Sequence, residues 1–147
     1  MKTTSTLARR NNVVIALHLV WTTQERKPLI QICIETDLYA CIIAEATTLC
    51  CQVLAIGGMP DHVHLIVLLH PTTSVSSLMK QIKGVSSHLM NHTLLPGKNF
   101  RWQDGYFAFS MSRSHRDAAV LYVQNQKHHH ANQTLRPAWE SGDESAD

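Results

Sequence analysis

The chain has 147 residues, 44% hydrophobic and 16% charged, which supplies one apolar core and leaves little room for a second domain. That balance excludes a disordered, collagen-like or coiled-coil protein, and the longest apolar runs, such as residues 65–69, fall far short of the ~20 residues of a membrane-spanning helix. The net charge of +2 is uneven: four of the 11 acids and one of the 13 basic residues follow His130, leaving 12 basic against 7 acidic residues over 1–130, a balance that suits a polyanionic partner.

Residues 1–11 are polar, with Arg9 and Arg10 but no apolar stretch and cleavage site behind them, which argues against secretion and for a flexible N-terminus. Residues 12–22 (NVVIALHLVWT) are β-branched and aromatic and predict a first strand. A polar loop with Pro28 follows. From Ile30 to Leu49 the apolar positions Ile30, Ile34, Leu38, Cys41, Ile42, Ala46 and Leu49 recur at helical spacing. Residues 51–56 predict a short strand ended by Gly57-Gly58, and a tight turn through Pro60-Asp61 leads into a strand over 62–69. Ser74 is placed to cap a second helix with the stripe Val75, Leu78, Met79, Ile82, Val85 and Leu89. After a loop at Pro96-Gly97, residues 106–112 (YFAFSMS) predict a fourth strand. Ser114 with Asp117 resembles a capping box, opening a last helix to about His130. Residues 131–147 form an acidic tail expected to be disordered, so the folded domain spans 12–130. The four cysteines, Cys33, Cys41, Cys50 and Cys51, form no CxxC pair and are expected as buried, reduced thiols of a cytosolic protein.

The predicted order β-α-β-β-α-β plus one helix is the split βαβ pattern of a ferredoxin-like α+β fold, an antiparallel sheet with an added C-terminal helix. Alternation on the third strand sends Val63, Leu65, Val67 and Leu69 to the helix-covered face and His62 and His64 to the other, open face. Two imidazoles at i and i+2 can converge on one divalent metal. On the last helix Tyr122 and Gln126 lie four apart on one face with His129 near the same line, and Ala119, Val120 and Val123 form a neighbouring stripe that can hold the helix down.

MPDHVHLIV and YVQNQKHHH together resemble the motifs of the single-tyrosine HUH transposases, which include insertion-sequence and REP-associated members. His62-Val63-His64 matches the H-hydrophobe-H pair, and Tyr122–His130 the tyrosine motif. HLVWTT (18–23), KGVSS (83–87) and FRWQDGYFAFSMS (100–112) match as well, so the resemblance spans about residues 12–130.

This resemblance implies a metal-dependent enzyme that cleaves and rejoins single-stranded DNA. Tyr122 would be the nucleophile, forming a 5′-phosphotyrosine and releasing a 3′ hydroxyl. His62, His64 and Gln126 would hold Mg²⁺ or Mn²⁺, with His128, His129 and His130 as competitors for the third position. Isolated imidazoles would also accept Zn²⁺ or Ni²⁺. It further implies a homodimer acting on hairpin-containing element ends, hinged near Ser112–His115, with Tyr122 in cis or in trans. The setting implied is the nucleoid in a bacterial or archaeal cytoplasm. Candidate phosphate contacts are Lys80, Lys83, Arg101, Arg113, Arg116 and Lys127, and candidate stacking rings Trp102, Tyr106 and Phe107. His18 is expected either to sit near the metal or, the favoured reading, to fill the sheet face, and Asp61 to shape the turn rather than bind metal. Ser86 and Ser87 are expected to face solvent or DNA.

Three rivals are weighed against this. An RNA-recognition domain needs ring-bearing positions on its two central strands, and HVHLIVLL has no Phe, Tyr or Trp. A water-using metal hydrolase needs a carboxylate near the histidines, where only Asp61 stands, and gives Tyr122 and Gln126 no task. A domesticated protein that binds DNA hairpins without strand transfer would be expected to lose Tyr122, a histidine or Gln126, and all are present.

Overall fold

The computed structural model describes residues 12–132, 135–136 and 139–140. The expected flexible N-terminus, residues 1–11, and most of the expected tail lie outside these. The elements are β1 (Ala16–Thr22), α1 (Ile32–Thr48), β2 (Gln52–Met59), β3 (His62–Leu68), α2 (Val75–Leu89), β4 (Phe107–Ser110), α3 (Arg113–Gln124) and α4 (Gln126–Asn132). The strands form one antiparallel sheet in the order β2-β3-β1-β4. This is the α+β, ferredoxin-like arrangement expected from the sequence. No helix among the described residues is long and apolar enough to cross a membrane.

Both faces of the sheet are used. Leu17, Leu19 and Trp21 of β1 and Val63, Leu65 and Val67 of β3 pack under α1 and α2, whose buried stripes are Ile34, Leu38, Ile42, Ala46 and Leu78, Met79, Ile82. Ser74 caps α2 as expected, accepting from the Ser77 backbone N–H at 3.1 Å. The opposite face, expected to be open, is covered by α3. Ala119, Tyr122 and Val123 pack there on Ala55 and Ile66 in a smaller second core. Burial therefore extends to His62 and His64, which are 2% and 0% exposed.

Several local expectations are corrected. Gly57 and Gly58 do not end β2 but lie within it. A side-chain carbon at Gly57 would stand 2.1 Å from the Val123 carbonyl oxygen, so the glycine is what lets α3 seat on the strand. The last helix starts one residue after Ser112, not at Ser114, and breaks at Asn125, where the backbone leaves helical geometry (φ −107°, ψ 29°). Ser112 Oγ bonds Ser114 Oγ and His115 Nδ1 rather than a backbone N–H, so the Ser114–Asp117 capping box is not made. Among the cysteines only Cys51 is buried; Cys33 and Cys50 are exposed and Cys41 is intermediate. Those two sit on the outer face of α1 and in the turn after it, where no element covers them.

Ser86 and Trp102 also change roles. Val85 faces outward and Ser86 is fully buried, its hydroxyl donating to the Ile82 carbonyl at 2.6 Å and accepting from Trp102 Nε1 at 2.9 Å. The Trp102 ring packs edge-on against Trp21 and Phe100. It is thus a core residue, not a stacking platform. Lys83 Nζ donates to the carbonyls of Gln103 and Gly105 at 2.7 and 2.6 Å, pinning the loop ahead of β4.

Gly57→Val should unseat α3 while leaving the sheet and the α1–α2 core folded. Hydrogen exchange would then quicken across 117–126 with β1 and β3 still protected, at an overpacking cost of about 1–3 kcal/mol. Equal loss of protection everywhere would contradict this account.

A candidate metal and nucleophile site

The site forms where the start of β3, the α3–α4 junction and the segment after α4 meet. Antiparallel register sets its base: on β1, Thr22 stands opposite His62, Val20 opposite His64 and His18 opposite Ile66. His18 is thus a diagonal neighbour of His64, within reach of a ring-to-ring contact.

Each histidine is oriented from behind. His62 Nδ1 donates to Asp61 Oδ1 at 2.7 Å, and Asp61 Oδ2 accepts from Arg26 at 3.2 Å. Burial pushes the Asp61 carboxyl up, but these two partners outweigh it and its pKa falls. His64 Nδ1 lies 2.8 Å from His18 Nε2. The Nε2 atoms of both rings are left pointing into the site, as is usual where a metal-binding imidazole is held through its other nitrogen. The expectation that His18 merely fills the sheet face is therefore corrected, because its ring holds His64. Asp61 shapes the turn as expected, its carbonyl accepting from Thr23 N–H at 2.9 Å, and orients His62 as well.

Opposite the imidazoles, Gln126 is 1% exposed and its Oε1 lies 3.3 Å from His62 Nε2 and 3.1 Å from His130 Nε2. Tyr122 donates from its hydroxyl to Glu140 Oε2 and accepts from the Arg136 N–H at 3.0 Å. Its ring stacks on His129 and meets His64 and Trp139 edge-on. Burial and the Glu140 carboxylate push the phenol up to about 12. The Glu140 carboxyl, though burial opposes it, is held down at about 2 by His64, Tyr122 and His62.

The structure brings Tyr122, His62, His64 and Gln126 together within one chain. Of the competing histidines, His130 joins the cluster, His129 faces the tyrosine ring, and His128 lines the cleft between α1 and α4 instead. The ligand atoms of His62, His130 and Glu140 all lie within 4.8 Å of one another. Imidazole nitrogens beside amide and carboxylate oxygens make a donor set that fits a divalent cation. Glu140 and Trp139 were assigned to the acidic tail from sequence; a single carboxylate eighteen residues past the tyrosine carries no periodicity that would mark it.

The phosphate-contact candidates divide. Lys127 is engaged internally, at 2.6 Å from Glu35 and 3.1 Å from the Gly58 carbonyl, as is Lys83. These contacts clamp α4 to α1 and β2. Lys80, Arg101 and Arg113 are exposed and Arg116 is half-buried. Tyr106 and Phe107 are exposed and line a cleft with Arg26 and Gln103 beside the Asp61–His62 edge.

Residues 12–126 match the family model for IS200-like transposases. The chain belongs to this family. No curated protein matches it. Among solved structures, this IS200-like transposase is similar to a candidate transposase from Deinococcus radiodurans R1, at 24% identity and a TM-score of 0.65, over 79% of this chain and 93% of that one. It is also similar to a REP-associated tyrosine transposase bound to a REP hairpin, at 19% identity and a TM-score of 0.64, over 83% and 72% of the two chains. At these identities the two structures speak for the fold.

The buried rings give the transposase a pH signature. Burial, with His64 adding to it, pushes His18 down to about 3, and burial lowers His64 too. Folding then favours the neutral rings, so their stability is complete above the unfolded value near 6.5 and is lost as pH falls below it. His18 alone should cost about 2 kcal/mol at pH 5. The melting temperature of the metal-free protein should drop by about 4–8 °C between pH 7.5 and pH 5, and His18→Gln should flatten that slope. An unchanged melting temperature would exclude neutral buried rings.

Proposed function

We propose that this transposase cleaves and rejoins single-stranded DNA through a covalent bond to Tyr122, with a divalent metal, Mg²⁺ or Mn²⁺, held by His62, His64 and Gln126. The observation that carries the reading is that the Tyr122 hydroxyl, both imidazole Nε2 atoms and the Gln126 side chain converge on one carboxylate's width of space. A nucleophile and a metal-binding set are thereby within reach of one phosphodiester.

The bound cation would neutralise phosphate charge and polarise the scissile bond. The chain's own residues do the remainder. His18 and Asp61 hold the two imidazoles in place. The Arg136 N–H and the His129 ring hold the phenol, which is otherwise too weak an acid to attack unaided at neutral pH. In the reaction the Tyr122 oxygen bonds to phosphorus, the bond from phosphorus to the 3′ oxygen breaks, and the phenolic proton ends on the released 3′ hydroxyl. One phosphodiester replaces another, so rejoining runs by the reverse path without ATP, in keeping with a sequence that holds no GxxxxGK[ST] loop.

Exposed Lys80, Arg101 and Arg113, with half-buried Arg116, would meet phosphates, and Tyr106 or Phe107 would stack bases. The hairpin bound by the REP-associated relative supports hairpin-containing element ends as the substrate. Tyr122 meets the histidines of its own chain, which supports cleavage in cis. A homodimer would then bring two such sites to the two ends of an element in the nucleoid of the cytoplasm.

The test is covalent trapping on labelled single-stranded DNA from the sequence flanking the gene. A denaturation-resistant adduct should require Mg²⁺ or Mn²⁺, vanish in Tyr122→Phe and fall at least 100-fold in His64→Ala. Tight binding without an adduct would reverse the reading in favour of a hairpin-binding protein.

A further inference from the structure

Among the described residues, Glu140 is a charged side chain at the centre of the site that the reaction just described gives no task. Its Oε1 stands 3.2 Å from His64 Nε2, 3.5 Å from His62 Nε2 and 3.8 Å from His130 Nε2. Its Oε2 accepts from the Tyr122 hydroxyl and, at 3.3 Å, from Gln126 Nε2. One carboxylate therefore touches every group assigned to the metal and the nucleophile as well.

The neighbouring residues fasten it there. Trp139 packs in the smaller core and meets the Tyr122 ring edge-on at 5.0 Å. The Arg136 guanidinium lies 4.4 Å over the Trp139 ring, and the Arg136 backbone donates to Tyr122. Arg136 and Trp139 are thus docked on Tyr122 and the smaller core through contacts that do not involve the carboxylate.

The donor chemistry favours a metal role. Two imidazoles and one amide are neutral and offer a single oxygen, whereas Mg²⁺ and Mn²⁺ prefer oxygen donors and carboxylates above all. Donor atoms around one octahedral ion of this size stand about 3 Å apart when adjacent and about 4 Å apart when opposite. His64 and His62 Nε2 stand 3.2 and 3.5 Å from Glu140 Oε1, close to that adjacent spacing, and His130 lies within 4.8 Å of His62 and Glu140 as a further donor.

We propose that Glu140 is a ligand of the metal in this site, delivered by the segment after α4, and that its second oxygen positions the Tyr122 hydroxyl beside that metal. The proposal rests on the metal-dependent reading above and extends it to a residue outside the tyrosine motif.

The experiment is a Mn²⁺ titration of the full chain without DNA, free Mn²⁺ being followed by electron paramagnetic resonance, alongside covalent trapping. Glu140→Gln should weaken Mn²⁺ binding at least tenfold, with a metal-free melting temperature close to that of the parent protein. Its adduct yield should fall at low Mn²⁺ and recover as Mn²⁺ is raised, and Glu140→Asp should fall between the two. Unchanged Mn²⁺ affinity in Glu140→Gln would overturn the proposal. Faster adduct formation by that variant would overturn it too, making the carboxylate a plug that competes with the DNA phosphate. Glu140-dependent Mn²⁺ binding with no adduct from the parent protein would uphold the ligand and count against strand transfer instead.

Discussion

The tyrosine meets the histidines because α3 lies directly on the sheet, and it can do so because Gly57 has no side chain. The Val123 carbonyl occupies the space a Cβ would need. From that contact follow the burial of Val123 and, one turn earlier, Ala119, the position of Tyr122 beside Val123, and the closure of the face that holds His62 and His64. Lys127 reinforces the same contact from α4 by bonding the Gly58 carbonyl and Glu35. The geometry of the site therefore rests on backbone packing as much as on its polar contacts.

Its polar groups are organised in two layers. Behind each imidazole stands a partner on a different element: Asp61, itself held by Arg26, behind His62, and His18 of β1 behind His64. In front stand Gln126, His130 and Glu140. A buried ring with one nitrogen engaged behind presents the other forward in a fixed direction, and that is the preorganisation a metal site requires. Burial disfavours charge on His18 and His64, so the arrangement is kept at the expense of acid stability.

The architecture was largely legible in the sequence. Period-2 alternation in HVHLIV assigned opposite faces to Val63 and His62, and period-3.6 stripes located α1 and α2 to within a few residues. What misled was local chemistry read without its neighbours. Gly57-Gly58 reads as a strand end until a helix is known to press on it. Ser86 reads as a surface hydroxyl until Trp102 is found sixteen residues away, donating to it. Lys83 and Lys127 read as phosphate contacts, yet they donate to loop carbonyls and to the Gly58 carbonyl and Glu35 carboxylate.

The sequence by itself determined the element order, the facing of the two histidines, the four-residue offset of Tyr122 and Gln126, and the family to which those motifs belong. The facing of the histidines and the Tyr122–Gln126 offset depend on spacings internal to one segment, and the element order and the family resemblance on the succession of such segments along the chain. Only the tertiary structure decided that His18 serves His64, that Trp102 is core, and that Glu140 reaches the nucleophile. Each of those depends on two segments far apart in the chain being brought together by a shared hydrophobic face. The partner of a lone polar residue leaves no repeat in the sequence from which it could be read.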